Sequence, residues 1–357
     1  MPIDLSGDSI GFRGGPDRLG VVAGSIAVAP QEVWSFDTGS YVISSPVPLG
    51  DGVVVVGNDN LLRRVDAKGG SVWTFGLGAT GATPTVVGSG VVAVGGGRIL
   101  LVSATDGSLV WERELSGTAS SSPLVVDRLV VVAAGSDLSA LDLATGEEIW
   151  RTSLDGSTDS TPAGEDGLLV IGSPDNTLSA FGLGDGALGW SYDFGPTRAD
   201  LFTVAEGIAA TAALYDGRAI VGSTNGKMAA IETDSGEAIW EIDLGAPIYA
   251  SASVGESIFI TTADGHAIAI DPSTGTIAWR VDLGEPSYAS PLLTDDTLVV
   301  TTEQGIVVGL DPANGHELWR VTVGVDGDFM ASTPTLTQSG LLVFGSNDGR
   351  VVALGAT

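Results

Sequence analysis

Short apolar runs, each only a few residues long, recur along the chain and are cut by turn residues. Val53–Val56 and Leu129–Val132 are β-branched runs of this kind, and glycine, aspartate, asparagine or serine interrupts each one. No stretch of about 10–15 residues carries the 3.6-residue period of an amphipathic helix, so the pattern predicts strands throughout. Tryptophan sets a longer period. Its eight copies stand at positions 34, 73, 111, 150, 190, 240, 279 and 319, with spacings of 39, 38, 39, 40, 50, 39 and 40. A fixed period near 40 marks a repeat architecture, and four short strands per unit predict the blade of a β-propeller.

The four strands can be placed within each unit. Strand A, the innermost, carries a Ser/Thr-Pro pair in most units: Ser45-Pro46, Thr83-Pro84, Ser122-Pro123, Thr161-Pro162, Ser290-Pro291 and Thr333-Pro334. Strand B is the β-branched run. Strand C follows a hairpin such as Asp264-Gly265, Gln304-Gly305 or Asp348-Gly349, which as X-Gly pairs predict type I′ turns with both residues at positive φ. Strand D carries the tryptophan and is entered through turns such as Asp142–Gly146, Asp271–Gly275 and Asp311–Gly315. There the aspartate is expected to cap the turn and the glycine to take the left-handed position, which makes these aspartates structural.

The termini hold complementary pieces. Residues 327–357 supply strands A, B and C without a tryptophan, while residues 31–38 supply one strand D with Trp34. Joined, they make an eighth blade and remove two free sheet edges. The expected fold is therefore all-β: an eight-bladed propeller with four antiparallel strands per blade, its C-terminal blade completed by the N-terminal strand D. Residues 1–30 read as a lead-in segment and residues 31–357 as one propeller domain.

Composition narrows the chemistry. There is no cysteine, which removes disulfides, thiolate catalysis and cysteine-based metal sites, and the two histidines are too few for a three-His centre. The formal net charge is −29, from 30 Asp and 14 Glu against 13 Arg and 2 Lys. Such a chain repels nucleic acid and anionic membranes. Acidity with little lysine fits a high-salt cytoplasm; a GC-rich genome would also favour Arg over Lys.

The A-x-D-x-x-T-G-x-x-x-W unit resembles the PQQ-like repeat of quinoprotein propellers. Seven units over residues 39–326 carry it, with Gly182–Asp185 and Ser103 departing from the usual Asp turn. The opening Phe12-Arg13-Gly14-Gly15-Pro16 resembles the lead-in of stand-alone PQQ-like propellers of the BamB-like branch. The resemblance implies that Trp34, Trp73, Trp111, Trp150, Trp190, Trp240, Trp279 and Trp319 dock between blades. In the family's alcohol dehydrogenases the quinone lies between a vicinal disulfide and a tryptophan, beside Ca²⁺ and a carboxylate base. With no cysteine and every tryptophan on strand D, a PQQ-dependent dehydrogenase is the least favoured reading, and neither cofactor nor metal is expected.

The stretch Leu19–Ala29 resembles the apolar part of a signal peptide, but Asp4, Asp8 and Asp17 precede it where positive charge belongs, and Pro30 follows. Read as written, the chain is cytoplasmic and without a transmembrane segment; an exported or periplasmic location is the alternative.

The candidate site follows from topology. If strand A runs from top to bottom, the D→A and B→C connections share the top face. The spacing of 50 places an insertion of about ten residues in the link from blade 4 to blade 5, which brings Arg198, Asp200 and Phe202 to the channel mouth. Tyr249 and Tyr288 occupy equivalent positions at the start of strand A, where blade 4 has Asp159; Asp328, Phe329 and Tyr41 come from neighbouring links. Aromatic walls with one arginine and several carboxylates suit a small, partly apolar molecule or a protein partner. His266 and His316 flank turns on opposite faces, and Gly95-Gly96-Gly97 lies in a hairpin rather than before a helix, so none of these is a site. The reading is a monomeric, non-redox binding scaffold; the alternative is a cofactor-free lyase, cyclase or isomerase at the same mouth.

Overall fold

In the computed structural model, residues 3–197, 207–323 and 332–356 are described. They form eight antiparallel sheets, each with its strands in the order A-B-C-D, and strand D on the outer edge. Blade 3 is representative: A is Leu124–Val126, B is Leu129–Ala134, C is Asp137–Asp142 and D is Glu148–Ser153. The last sheet orders Gln31–Asp37, Arg350–Gly355, Leu342–Gly345 and Thr335–Leu336, so the N-terminal strand closes the C-terminal blade as expected. One sheet has a fifth strand, Ser9–Ile10, paired with Thr85–Val87 of blade 2.

Strand A is shorter than the Ser/Thr-Pro pattern suggests. It spans only two or three residues and begins after the proline, at Val47, Thr85, Leu124, Ala163, Leu292 or Thr335. Proline has no N–H to give to a ladder, so pairing starts one residue later. The hairpins at Asp264-Gly265, Gln304-Gly305 and Asp348-Gly349 also differ from expectation. In Thr262–His266 the N–H of Thr262 meets the carbonyl of His266, the N–H of Gly265 meets that of Thr262, and of the pair only Gly265 has positive φ, at 86°. This is the three-residue loop with a left-handed glycine, not the two-residue type I′ turn.

The tryptophans join the blades. A β-bulge skips the residue before each of them, as between Trp150, paired with Ala140, and Glu148, paired with Leu141. A bulge re-aims the following side chain, and here the indole turns toward the next blade. Trp111 donates its indole N–H to the carbonyl of Leu143 at 2.9 Å, Trp73 to Ala104, Trp150 to Leu183, Trp190 to Thr233, Trp240 to Pro272 and Trp279 to Pro312. Each acceptor follows directly the residue that opens the C→D turn of the next blade. The turn's glycine covers the ring: a Cβ on Gly146 would stand 2.7 Å from carbons of Trp111. Asp142 holds that turn by accepting the N–H groups of Ala144 and Thr145, and Gly146 has φ 69°. The aspartates of these turns are thus caps.

Among the described residues Trp34 and Trp319 show no such bond, and for Trp34 the neighbouring turn gives the reason. The indole nitrogen of Trp34 is buried without a partner. The turn it meets, Asp66–Gly70, is one residue shorter than the others, with Gly69 three rather than four residues after the aspartate. Gly69 still covers the ring, but the acceptor carbonyl does not reach it.

Candidate functional site

Both B→C hairpins and D→A links lie on one face: a Cβ on Gly265, in a hairpin, would press on the backbone of Glu285, in a link. Six of the D→A links hold eight or nine residues between strands. The link from Asp193 to Ala213 holds nineteen, and that from Thr322 to Thr335 holds twelve. The first is the expected insertion; the second is a smaller one that tryptophan spacing cannot reveal, because no tryptophan follows it in the chain.

At the centre of this face the channel opens as a cup of about 190 Å³. Its upper ring holds the residue two before the Ser/Thr position in blades 1 to 7: Ile43, Gly81, Ser120, Asp159, Ala209, Tyr249 and Tyr288. Tyr249 and Tyr288 come from adjacent blades, and their rings lie 5.5 Å apart at 50°. Burial raises the Tyr288 phenol, and the charge of Glu303 raises it further, so it stays protonated at neutral pH. Asp159 is exposed on the rim.

Below lies a second ring of eight hydroxyls, one per blade: Ser45, Thr83, Ser122, Thr161, Thr211, Ser251, Ser290 and Thr333. All are buried. These are the Ser/Thr positions read from the sequence, and they form a belt. The backbone N–H of Ser45 donates to Thr83 Oγ1 at 2.9 Å, that of Thr83 to Ser122 Oγ, and that of Ser122 to Thr161 Oγ1. Thr211 donates likewise to Ser251, Ser251 to Ser290, and Thr333 to Ser45 across the closure of the ring. The two junctions without this bond, 4–5 and 7–8, are those with the long links.

The lead-in segment closes the other end. Pro16, Asp17, Leu19 and Gly20 offer their carbonyls in turn to Gly164, Leu214, Val254 and Leu293, on the innermost strands of blades 4 to 7. Phe12 forms part of the cup's lining from beneath. Arg13 donates to the carbonyls of Pro291 and Ala252, and Arg18 to those of Pro162 and Pro123. Each acceptor directly follows a residue of the belt. Burial, aided by the charge of Arg18, pushes Arg13 down to about 9; burial pushes Arg18 down to about 10, against the charge of Asp17. Both remain cations at neutral pH. Leu19–Ala29, the stretch that resembles a signal sequence, is woven into this end: Val22 bonds Leu293, Gly24 bonds Asp295, and Ile26 is in the core.

Of the nine mouth residues expected from sequence, the structure brings Asp159, Tyr249 and Tyr288 together around the cup. Tyr41 does not line it; it is 58% exposed, and Ile43 takes the blade 1 place in the ring. Arg198, Asp200, Phe202, Asp328 and Phe329 lie outside the described residues. His266 stands on the top face with its ring at Asp264 and Arg280, away from the cup. Sequence reading missed Phe12, Arg13 and Arg18 as channel residues; the only signal was two arginines within a glycine-rich lead-in. It also missed two larger crevices of about 1240 and 600 Å³ between the lead-in and the bottom of the blades.

A quinone does not fit this cup. Six indoles are bonded into neighbouring blades and all eight belong to strand D, so none lines the cup to stack on a ring. The described residues contain no group of three or more metal-binding side chains. At 190 Å³ the cup is below the ~300–1,000 Å³ of ordinary ligand pockets.

A profile of the family described as outer membrane protein assembly factor BamB matches residues 27–124, 58–142, 126–254 and 243–357. The chain belongs to this BamB family. Among solved structures, BamB from Moraxella catarrhalis is 18% identical with a TM-score of 0.73, covering 92% of this chain and 100% of that one. Quinohemoprotein alcohol dehydrogenase from Comamonas testosteroni is 13% identical with a TM-score of 0.79, covering 99% and 82%. A europium-containing methanol dehydrogenase is 13% identical with a TM-score of 0.79, covering 95% and 90%. At these identities the BamB structure and the dehydrogenases alike show the fold alone. No curated protein matches the sequence. No helix of the described residues is long and apolar enough to cross a membrane.

Proposed function

We propose that this BamB-family propeller is a non-catalytic binding scaffold whose working surface is the top-face channel mouth. One observation carries the reading: departures from the repeat concentrate at the open end of the channel. Both long links arise on that face, and the upper ring varies from Gly81 to Tyr288 while the belt beneath it keeps a hydroxyl in every blade. The opposite end is closed by the chain's own lead-in. A rigid ring with variable loops at one open end is how a scaffold presents a recognition surface. Among the described cup residues the titratable groups are Asp159 and two tyrosines, with no histidine or lysine beside them to complete an acid–base pair. Family membership supports a protein partner, and Tyr249, Tyr288 and the two long links are the natural contacts, with aromatic side chains as anchors.

The test is complementation in the source organism after deletion of the gene. Tyr249→Ala/Tyr288→Ala and Arg198→Ala are expected to fail to restore the deletion phenotype while melting near the wild type. Asp127→Ala/Asp166→Ala, on the bottom face, is expected to restore it. Full rescue by the mouth variants would overturn the reading.

A further inference from the structure

We propose that the hydroxyl belt with the two arginines beneath it is a binding site for a compact oxyanion, either a free inorganic anion or a carboxylate group of a partner. The inference deepens the reading of the top mouth as a binding surface and rests on it. Three observations converge on the channel axis.

The first is direction. Six belt oxygens, those of Ser45, Thr83, Ser122, Thr161, Ser251 and Ser290, accept the backbone N–H of the preceding blade. An oxygen that accepts in this way keeps its own O–H as a donor. All eight hydroxyls line the cup, all are more than nine-tenths buried, and among the described residues none of their protons has an acceptor. The belt therefore presents a ring of hydroxyls, one per blade, to the channel axis. The hydroxyls open onto the cup, so one acceptor on its axis can take several of them at once.

The second is charge. Arg13 and Arg18 are both buried, and the carbonyls that hold them belong to Pro123, Pro162, Ala252 and Pro291, one residue below Ser122, Thr161, Ser251 and Ser290. Arg18 has Asp17 close by, whereas Arg13 has no ion-pair partner among the described residues, and its Nε is buried without an acceptor. In a chain of net charge −29, this places positive charge at the lead-in end of the channel, beneath Phe12 and held by carbonyls one residue past the belt. Low-dielectric surroundings strengthen its pull on an anion.

The third is size. A volume of about 190 Å³, with Phe12 in its lining, admits a phosphate, a sulfate or a carboxylate terminus. Asp159 stands in the upper ring rather than in the belt, and the charge of Glu303 reaches Tyr288 of that ring, so an anion must seat below them to escape their repulsion. This selects a small group over a polyanion.

The test is titration of the full chain at fixed ionic strength, balanced with KCl, using inorganic phosphate followed by ³¹P line width. A short peptide with a free C-terminus and the same peptide as its amide form the second arm. Phosphate is expected to broaden on addition of the protein, and the free-acid peptide to compete with it at least ten-fold better than the amide if the anion comes from a partner. Equal competition with phosphate binding intact assigns the site to a free anion. Thr211→Val/Thr333→Val removes two donors whose oxygens take no backbone bond in the belt, and is expected to weaken phosphate at least ten-fold with an unchanged melting temperature. Selenate soaked into crystals should give an anomalous peak on the axis at the belt. Unbroadened phosphate with no axial selenate peak would overturn the proposal, as would undiminished binding by the folded double variant. Should only this fail, the mouth variants would still lose function; should only the scaffold reading fail, phosphate would still bind while those variants complement.

Discussion

Trp34 and Trp111 allow the interblade joint to be dissected. Both are nearly buried, at 9% and 7% exposure, and both lie under a turn glycine of the next blade. Trp34 packs among Val42, Val53, Val55 and Val65 on one side and Val343, Val351 and Ala353 on the other. They differ in one bond: Trp111 donates to Leu143, while the indole of Trp34 donates to nothing. Replacement of either by alanine removes a large buried aromatic and is expected to cost about 3–5 kcal/mol. Replacement by phenylalanine separates the terms. Trp111→Phe leaves the Leu143 carbonyl without its donor and should cost about 1 kcal/mol more than the ring-size loss alone. Trp34→Phe removes a buried donor that was never satisfied, so its cost should be smaller by about that amount. Paired urea titrations at one temperature, compared through their midpoints with similar slopes, measure the difference. Equal cost for the two phenylalanine variants, or a greater one for Trp34→Phe, would refute the account of the short Asp66–Gly70 turn.

Deletion of residues 1–38 removes Trp34, the outer strand of the last blade and the arginines that close the channel. It should lower stability by several kcal/mol and expose the edge of Arg350–Gly355, so that gel filtration shows oligomers. Molar KCl should raise the melting temperature, because a charge of −29 repels itself and the Debye length falls from about 10 Å at 0.1 M to about 3 Å at 1 M; a flat or falling curve would mean local compensation. Acid acts in two stages. From pH 7 toward the isoelectric point near 4.1, protonation relieves that repulsion and stability should hold or rise. Asp66 and Asp271 accept turn N–H groups that hold their carboxyls below the usual value of 3.8, so their contribution is present above that value and lost as the pH falls through their folded pKa. Unfolding should therefore set in below about pH 4, as read by circular dichroism; loss of structure between pH 7 and 5 would contradict this.

The ring was legible because its parts repeat. Tryptophan spacing, the Asp-capped turns and the split eighth blade each follow from local physics that every blade must satisfy alike. The mouth was partly legible for the same reason. Tyr249, Tyr288 and Asp159 could be aligned by position, and the insertion after Asp193 broke a regular count. What the sequence hid depends on long-range placement. Ser45 and its counterparts read as the Ser/Thr-Pro signature of strand A, and only closure of the ring shows six of the hydroxyls accepting from the blade before. Arg13 and Arg18 lie in a non-repeating segment with no periodicity to place them, and their partners are backbone carbonyls, which carry no sequence signal. Tyr41 comes from the blade 8–1 link without alignment to the Ser/Thr position, and Ile43, two residues nearer Ser45, holds the place in the ring. The hairpin type was missed because an X-Gly pair fits both loop geometries, and the backbone of Asp264 decides between them.

The central claim, that this scaffold works through the open end of its channel, is tested most directly by site-specific photo-crosslinking in the source cells. A photoreactive residue is placed at Ile43 or Tyr249 on the top ring, at Asp166 on the bottom face, and at Ile149 on the exposed outer strand of blade 3. Discrete adducts from Ile43 and Tyr249, with none from Asp166 or Ile149, are the predicted result. Adducts from the bottom face or the outer strand, with a silent top ring, would contradict it.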